Sequence, residues 1–189
     1  MDMKRISVKL AYFLRHCENP RYIDLNGGWA SVSEILKALK SVSSDVNLSV
    51  LEQIVAEDKK GRYSFYDETH QKIRANQGHS ISGVIIEMEQ PEPPEFLYHG
   101  TATRFLDSIF KEGLKPHASS EKSKPRQFVH ISSDYETAVQ VGSRHGKPVV
   151  LRIRAKDFVN DGHELYISSN GVWQAKCVPV EYFSVYYPE

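Results

Sequence analysis

Arginine and histidine recur together in two short segments of this 189-residue chain. Arg15 and His16 are adjacent in the tripeptide L-R-H, and Arg74 and His79 fall within the stretch I-R-A-N-Q-G-H-S. An arginine side chain offers a planar, permanently charged pair of hydrogen bonds that fits a phosphate, and a histidine exchanges protons near neutral pH. The combination predicts a phosphate site with a proton-transfer group. A second interpretation stays open, in which the basic residues only complement the dipole at the end of a helix.

A second set of polar residues surrounds a glycine later in the chain. His99, Gly100 and Thr101 come at the end of a run that is typical of a strand. Glycine there lets the backbone approach a flat ligand while its neighbours offer hydrogen bonds, an arrangement that suits a nicotinamide ribose. The chain has neither G-x-G-x-x-G after an early strand nor G-x-x-x-x-G-K-[ST], so a Rossmann site and a P-loop have no support. Structural roles also stay open, such as a core histidine or, for Asn76 to His79, a polar turn.

The composition limits the partners and the compartment. Hydrophobic residues make up 40% of the chain, enough for one large core or two small ones, and the formal net charge is zero. A phosphate site must therefore be a local cluster. Cys17 and Cys177 form neither a disulfide framework nor a zinc motif, and we expect no metal. Cys17 and His16 point about 100° apart on a helix, which argues against a cysteine hydrolase. A charged N-terminus and the lack of a long apolar run predict a cytoplasmic protein without a membrane span.

The first part of the chain carries the patterns of three helices and a hairpin. Apolar residues at helical spacing predict the helices, and Ser31 with Glu34 has the S-x-x-E spacing of a capping box. The expected elements are helices over about 4–17, 31–39 and 48–56 and strands over 62–66 and 71–74. This order is typical of a winged-helix lobe.

The prolines of Gln90-Pro91-Glu92-Pro93-Pro94 indicate an extended connector, so the predicted domains are 1–92 and 93–189. Beyond the connector, short β-rich runs alternate with helices, which predicts an α+β lobe. The expected elements are a strand over 96–99, helices over 105–112 and 135–142, and strands over 128–131, 148–153 and 181–187. Residues 119–124 are polar and are expected to form a surface loop.

Five motifs, taken in this order, resemble the KptA-type RNA 2′-phosphotransferase family: L-R-H, I-R-A-N-Q-G-H-S, F-L-Y-H-G-T, V-H-I-S and G-S-R-H-G-K-P-V. The resemblance extends from about Lys4 to Tyr187. It implies an α+β protein with an N-terminal winged-helix lobe that presents RNA. It also implies a C-terminal ADP-ribosyltransferase-like lobe, built on a mixed or antiparallel β-sheet, that holds NAD.

The resemblance also implies roles for individual residues. The positions that match the family's catalytic tetrad are Arg15, His16, Arg74 and Arg144. The positions implied for NAD binding are His99, Gly100, Thr101, Arg126, His130 and Ser132. Those expected to orient the substrate phosphate or ribose are Asn76, Gln77 and His79. Many ADP-ribosyltransferases carry a late glutamate where this chain has Val172, which fits a nucleophile that is already charged.

The activity implied by the resemblance is removal of an internal 2′-phosphate from RNA, as in tRNA splicing. The phosphate attacks NAD, nicotinamide leaves, and an RNA-2′-phospho-ADP-ribose intermediate gives 2′-hydroxyl RNA and ADP-ribose 1″,2″-cyclic phosphate. The expected partners are NAD, consumed as a co-substrate without a metal, and a tRNA-like RNA bound by a monomer. Two alternatives remain. One is an ADP-ribosyltransferase that caps nucleic-acid terminal phosphates or modifies a protein, and the other is a winged-helix regulator that senses NAD without catalysis.

Overall fold

The structure is a computed structural model that describes residues 2–17, 23–81, 84, 86, 88–118 and 125–188. These residues belong to two compact units, Met1–Glu87 and Met88–Glu189. The surface loop expected over 119–124 lies outside the described residues. Within the described ranges, no helix is both long enough and apolar enough to cross a membrane.

Three helices of the first unit begin and end within one residue of their predicted bounds. They are α1 (Met3–His16), α2 (Val32–Leu39) and α3 (Leu48–Ala56). The side chain of Asp2 caps α1 by accepting a hydrogen bond from the main-chain N–H of Arg5. Asn47 caps α3 in the same way at Val50. One face of α1 packs into the core, as its apolar spacing predicts, through Ile6, Leu10, Phe13 and Leu14.

The capping box predicted for α2 is wrong, although the helix begins at the predicted place. Ser31 is the N-cap, but its hydroxyl makes no capping hydrogen bond and lies 2.8 Å from the Ser33 hydroxyl. Glu34 accepts a hydrogen bond from the main-chain N–H of Asp24 at 3.4 Å instead of reaching back to Ser31. Because Ser31 also ends a strand, its backbone follows the sheet, and its hydroxyl turns to Ser33.

A three-stranded antiparallel sheet completes the first unit. Its strands are β1 (Trp29–Ser31), β2 (Tyr63–Phe65) and β3 (Lys72–Ala75). β3 lies in the centre, and its pairing with β2 confirms the predicted hairpin. The sequence does not predict β1, because three residues carry too little alternation to indicate a strand. Ile73 and Ala75 are buried in the core, and Arg74 between them belongs to the other face of β3.

The second unit alternates strands and helices, as predicted. Its elements are β4 (Phe96–Ala102), α4 (Leu106–Glu112), β5 (Val129–Ile131), α5 (Tyr135–Ser143), β6 (Pro148–Arg154), α6 (Ala155–Asn160), β7 (Tyr166–Ile167), β8 (Trp173–Ala175) and β9 (Phe183–Tyr186). The predicted elements are present with bounds that differ by at most three residues. The sequence does not predict α6, β7 or β8, which are short.

The strands of the second unit form two antiparallel sheets, ordered β4-β6-β9 and β5-β8-β7. Main-chain hydrogen bonds between Tyr98 and Ser132, at 2.9 and 2.7 Å, join β4 to the end of β5. Apolar side chains from both sheets share one core, which includes Leu97, Ile131 and Leu151. The two units together give the predicted α+β class, with every strand pair of the described residues antiparallel.

The strand that contains His99 continues through Gly100 and Thr101, so the prediction that it ends at His99 is wrong. Helix α5 lies so close to β4 that a Cβ atom on Gly100 would overlap the carbonyl oxygen of Ala138. Gly142 of α5 meets the backbone of Thr101 at the same contact. The glycines therefore permit close packing of the helix on the strand.

Candidate functional site

The end of α1, the central strand β3 and the segment after it meet around the side chain of His79, which is 4% exposed. Burial is the main cause that lowers the pKa of His79 from its ordinary value of 6.5 to about 4. The nearby charges of Arg15, His16 and Arg74 lower it as well. The first unit therefore brings together three of the predicted catalytic residues around a neutral histidine.

Hydrogen bonds hold the segment after β3 against the end of α1. The main-chain N–H of Ser80 donates to the carbonyl of Arg15 at 2.9 Å, and the Ser80 hydroxyl lies 2.8 Å from His16 Nδ1. The same hydroxyl lies 3.4 Å from the Arg15 carbonyl, which can only accept. We therefore assign the hydroxyl proton to that carbonyl and a proton to His16 Nδ1. In this tautomer Nε2 carries the lone pair of the ring.

Asn76 anchors the start of this segment. Its main-chain N–H donates to the carbonyl of Arg62 at 2.9 Å, and its Nδ2 donates to the carbonyl of Gly61 at 2.7 Å. Because Nδ2 is the donor, Oδ1 is the acceptor of this amide. Asn76 Oδ1 and Gln77 Oε1 are buried and have no hydrogen-bond partner among the described residues. A buried acceptor destabilises a protein by about 1–3 kcal/mol unless a ligand or water meets it, so these oxygens suit a ligand hydroxyl.

Arg74 stacks on an aromatic ring. Its guanidinium carbon lies 4.4 Å from the ring centroid of Trp29, the residue opposite it in the sheet. The flat ring restricts the rotamers of Arg74 and so holds the planar guanidinium in one orientation. Trp29 is thus a candidate positioning residue, and it lies outside the five motifs. Little in the sequence indicates this role, because Trp29 is a single aromatic residue directly after the turn at Gly28.

We expect the free energy of unfolding to fall as the pH is lowered from 7 to 4. In the folded protein His79 takes up a proton only near pH 4, whereas its ordinary pKa of 6.5 applies in the unfolded chain. The unfolded chain binds more protons in this window, which lowers stability by about 3 kcal/mol on reaching pH 4. Burial also lowers the pKa of His99, which acts in the same direction. Urea unfolding across this range should show a smaller drop in His79→Gln, and an equal drop would contradict the assignment.

In the second unit, His99 of β4 contacts the main chain of His130 in β5. His99 Nδ1 donates to the His130 carbonyl at 2.9 Å. Burial lowers the pKa of His99, and this hydrogen bond opposes the shift. His99 is therefore neutral at pH 7, with Nε2 as an acceptor. Arg126 Nη1 donates to His130 Nδ1 at 3.2 Å. Three of the residues predicted to bind NAD thus lie together where the two sheets join.

Gly100 presents main-chain groups at an edge of β4. Tyr98 directs its N–H and C=O to Ser132, away from β6. Because these directions alternate along a strand, the N–H and C=O of Gly100 also point away from β6. Adjacent donor and acceptor groups of this kind match the two polar groups of a carboxamide. Ser132 forms its hydrogen bonds to Tyr98 through its main-chain N–H and carbonyl. The side chain of Thr101 is buried.

Gln174 is a candidate site residue that the motifs miss. It lies in β8 opposite His130 and Tyr166, so the three side chains share one face of the sheet. The other face packs into the core through Trp173 and Ala175. Gln174 is 2% exposed, and its Nε2 has no hydrogen-bond partner within the described ranges. A buried donor beside His130 suits a ligand atom that accepts a hydrogen bond.

Arg144 is the C-cap of α5 and is exposed. Its guanidinium forms no hydrogen bond or ion pair with the described residues. Arg144 belongs to the second unit, whereas Arg15, His16 and Arg74 belong to the first. The grouping of all four side chains around one phosphate stays a prediction.

Val172 contributes main-chain groups to the turn before β8. Its N–H donates to the hydroxyl of Ser168, and its carbonyl accepts from the main-chain N–H and the hydroxyl of that serine. Val172, which is expected to occupy the position of the late glutamate, therefore has no charged side chain. Among the described residues, no group of three or more His, Cys, Asp or Glu side chains is arranged to hold a metal ion.

Comparison with known proteins assigns nearly the whole chain to one family. The family model described as RNA 2′-phosphotransferase, Tpt1 / KptA family, matches residues 1–176. Three relatives carry the name probable RNA 2′-phosphotransferase. They come from Acaryochloris marina (43% identical over 183 residues, 96% of each chain), Pectobacterium atrosepticum (42% over 180 residues, 94% of each chain) and Flavobacterium johnsoniae (42% over 182 residues, 95% of this chain and 94% of the relative).

The arginine–histidine cluster has the residue types that suit a phosphate group, and the proteins to which the chain is similar are phosphotransferases that act on RNA. The chain belongs to the Tpt1/KptA family of RNA 2′-phosphotransferases. The resemblance inferred from the five motifs is therefore confirmed.

Proposed function

We propose that this protein is an NAD-dependent enzyme that removes an internal 2′-phosphate from RNA. The observation that carries the proposal is the cluster of Arg15, His16 and Arg74 around neutral His79 in a member of this family. Two arginines match the charge and geometry of a phosphate dianion, and a histidine beside them exchanges protons. A metal is not needed, because phosphoryl transfer depends mainly on positioning and on stabilising charge.

The 2′-phosphate is a competent nucleophile without a general base. Its second pKa is near ~6, so it is largely a dianion at neutral pH. A phosphate oxygen attacks C1″ of the nicotinamide ribose, the C1″–N bond breaks, and nicotinamide leaves with the bonding electron pair. His16 Nε2 is the proposed acceptor of the proton of the ribose 2″-hydroxyl, which then attacks phosphorus and breaks the bond to the RNA 2′-oxygen. The protonated His16 returns the same proton from Nε2 to that oxygen, so that the histidine ends the step neutral.

Two structural observations support the proposal that the second unit binds NAD. The N–H and C=O of Gly100 are directed to a strand edge, where they match the carboxamide of nicotinamide. The buried amide of Gln174 supplies a donor beside His130. His99, Thr101, Arg126, His130 and Ser132 are the other residues proposed to hold the dinucleotide. Bound NAD supplies the activated ribose carbon that accepts the phosphate.

The first unit is proposed to present the RNA. Its three helices and three-stranded antiparallel sheet support a winged-helix lobe, with the hairpin of β2 and β3 as the wing. Asn76 and Gln77 would accept hydrogen bonds from ribose hydroxyls next to the phosphate, because both carry a buried acceptor oxygen. We propose a tRNA-like RNA as the substrate, and a cytoplasmic monomer as the active form.

We expect Gln174→Leu to raise the KM for NAD about tenfold, since one hydrogen bond of roughly 1.4 kcal/mol is lost. The same change should raise the melting temperature, because it removes a buried donor without a partner. Steady-state kinetics and thermal unfolding measure the two effects. Gln140→Leu is the matched control, since Gln140 is exposed on α5. An unchanged KM for NAD would exclude Gln174 from the site.

Nicotinamide release tests the proposed reaction class. The purified protein is incubated with NAD and one of three RNAs that carry a single phosphate at an internal 2′, a terminal 3′ or a terminal 5′ position. We expect release only with the internal 2′-phosphate. Release with a terminal phosphate would favour a capping transferase, and NAD binding without release would favour a regulator.

A further inference from the structure

A groove of about 440 Å³ runs beside α1 in the first unit, separate from the cluster around His79. Its lining residues are Arg5, Val8, Lys9, Tyr12, Ser41 and Val42. Two of these six are cations and none is a carboxylate. None of these residues lies in one of the five motifs.

Residues of the groove lie on the same side of α1 as His16, one member of the cluster around His79. Arg5, Lys9, Tyr12 and His16 are separated by four, three and four residues, which places them along one stripe of the helix. The stripe is about 16 Å long, from the rise of 1.5 Å per residue. An RNA strand bound at His16 can therefore continue along the stripe for several nucleotides.

The side chains of the groove combine charge with exposed apolar surface. Val8 is 62% exposed and Tyr12 is 40% exposed, which is high for residues of this size. The Lys9 ammonium lies 4.6 Å from the ring centroid of Tyr12 and 5.1 Å from that of Phe13. An aromatic ring next to cations is a common arrangement for binding single-stranded nucleic acid, because bases stack on the ring while cations contact phosphates.

We propose that this groove binds the RNA strand that flanks the 2′-phosphate, with Arg5 and Lys9 on backbone phosphates and Tyr12 under a base. The inference rests on the proposed function. Charge complementarity supports it, since a chain of zero net charge needs a local cationic surface to hold a polyanion. A lipid surface fits less well, because the apolar face of α1 is already buried in the core.

Fluorescence anisotropy of the full chain with labelled single-stranded RNA tests the groove. Two RNAs are used, one of about twelve nucleotides and one of three, each with an internal 2′-phosphate. For the longer RNA, we expect the double variant R5Q/K9Q to reduce the slope of log Kd against log salt by about 1.4, since each single-strand phosphate contact contributes about 0.7. Binding of the trinucleotide should not change. Tyr12→Leu should weaken the longer RNA roughly fivefold or more without changing the slope.

The matched control is the double variant K111Q/K156Q, which removes two exposed cations of the second unit. An R5Q/K9Q protein that matches this control in slope and Kd would overturn the proposal, and so would equal weakening of the trinucleotide. Thermal unfolding verifies that the variants are folded. Unphosphorylated RNA of the same length distinguishes a failure of the groove proposal from a failure of the proposed enzymatic function. The salt dependence of its Kd tests RNA binding by the groove, because no reaction takes place. The enzymatic function fails if the unaltered protein releases no nicotinamide with the 2′-phosphorylated RNA.

Discussion

We expect replacement of Arg74 with glutamine to lower kcat/KM for 2′-phosphorylated RNA by roughly 10²–10³-fold, the usual effect of losing one charged donor from a phosphate or oxyanion site. Arg74 is a strong candidate for this role because its guanidinium is fixed by stacking on Trp29 and lies close enough to His79 to lower its pKa. Arg74→Lys should restore only part of the activity, since lysine keeps the charge but not the planar pair of donors. Steady-state kinetics with a defined RNA measures both variants.

The pKa of His79 provides a second readout of the same change. Removing the Arg74 charge should raise that pKa above its value of about 4, which NMR titration of the histidine ring would detect. Lys72→Gln is the matched control, because Lys72 is on the same strand and its ammonium also lies over a ring, 5.5 Å from that of Tyr66. Equal losses of activity in Lys72→Gln and Arg74→Gln would contradict the specific role of Arg74.

Replacing Arg144 with alanine should slow the second chemical step by roughly 10²-fold and leave the first step less affected, so that RNA-2′-phospho-ADP-ribose accumulates. The guanidinium is exposed at the end of α5 and is not engaged by other described residues, so it is available to stabilise charge on phosphorus. Rapid quenching followed by chromatography separates the substrate, the intermediate and the product.

Arg104→Ala is the control for Arg144→Ala, because Arg104 is also an exposed arginine of the second unit, with its guanidinium 4.7 Å from the ring centroid of Phe105. It should leave both steps unchanged. Loss of NAD binding in Arg144→Ala, measured by calorimetry, would show that the assigned role is wrong.

The elements that the sequence predicts well are those with a full period of apolar residues. α1 is predicted because Ile6, Leu10, Phe13 and Leu14 repeat at helical spacing, and all four are buried. The short strands β1, β7 and β8 contain only two or three residues each, too few to establish an alternating pattern, and β8 is buried along its entire length. A motif search therefore does not find Gln174, because Gln174 is a candidate only through its position in β8, a strand that the sequence does not indicate.

The sequence likewise predicts only part of the candidate site. Residue types suggest a phosphate site at Arg15, His16 and Arg74, and the family resemblance assigns these residues to it. The structure of the first unit brings the three together. The hydrogen bond from His99 to the His130 carbonyl is not predictable, because it depends on the pairing of Tyr98 with Ser132 across more than thirty residues. The requirement for glycine at position 100 likewise comes from the approach of α5, a contact that no local pattern indicates.

Transfer of a labelled phosphate tests the central claim most directly. The protein is incubated with NAD and a short RNA whose single internal 2′-phosphate carries a radioactive label, and the products are separated by chromatography. We expect the label to leave the RNA and appear in ADP-ribose 1″,2″-cyclic phosphate, with a 2′-hydroxyl left on the RNA. Label that stays on the RNA in the presence of NAD, either unchanged or as a stable ADP-ribosyl adduct, would contradict the proposed reaction.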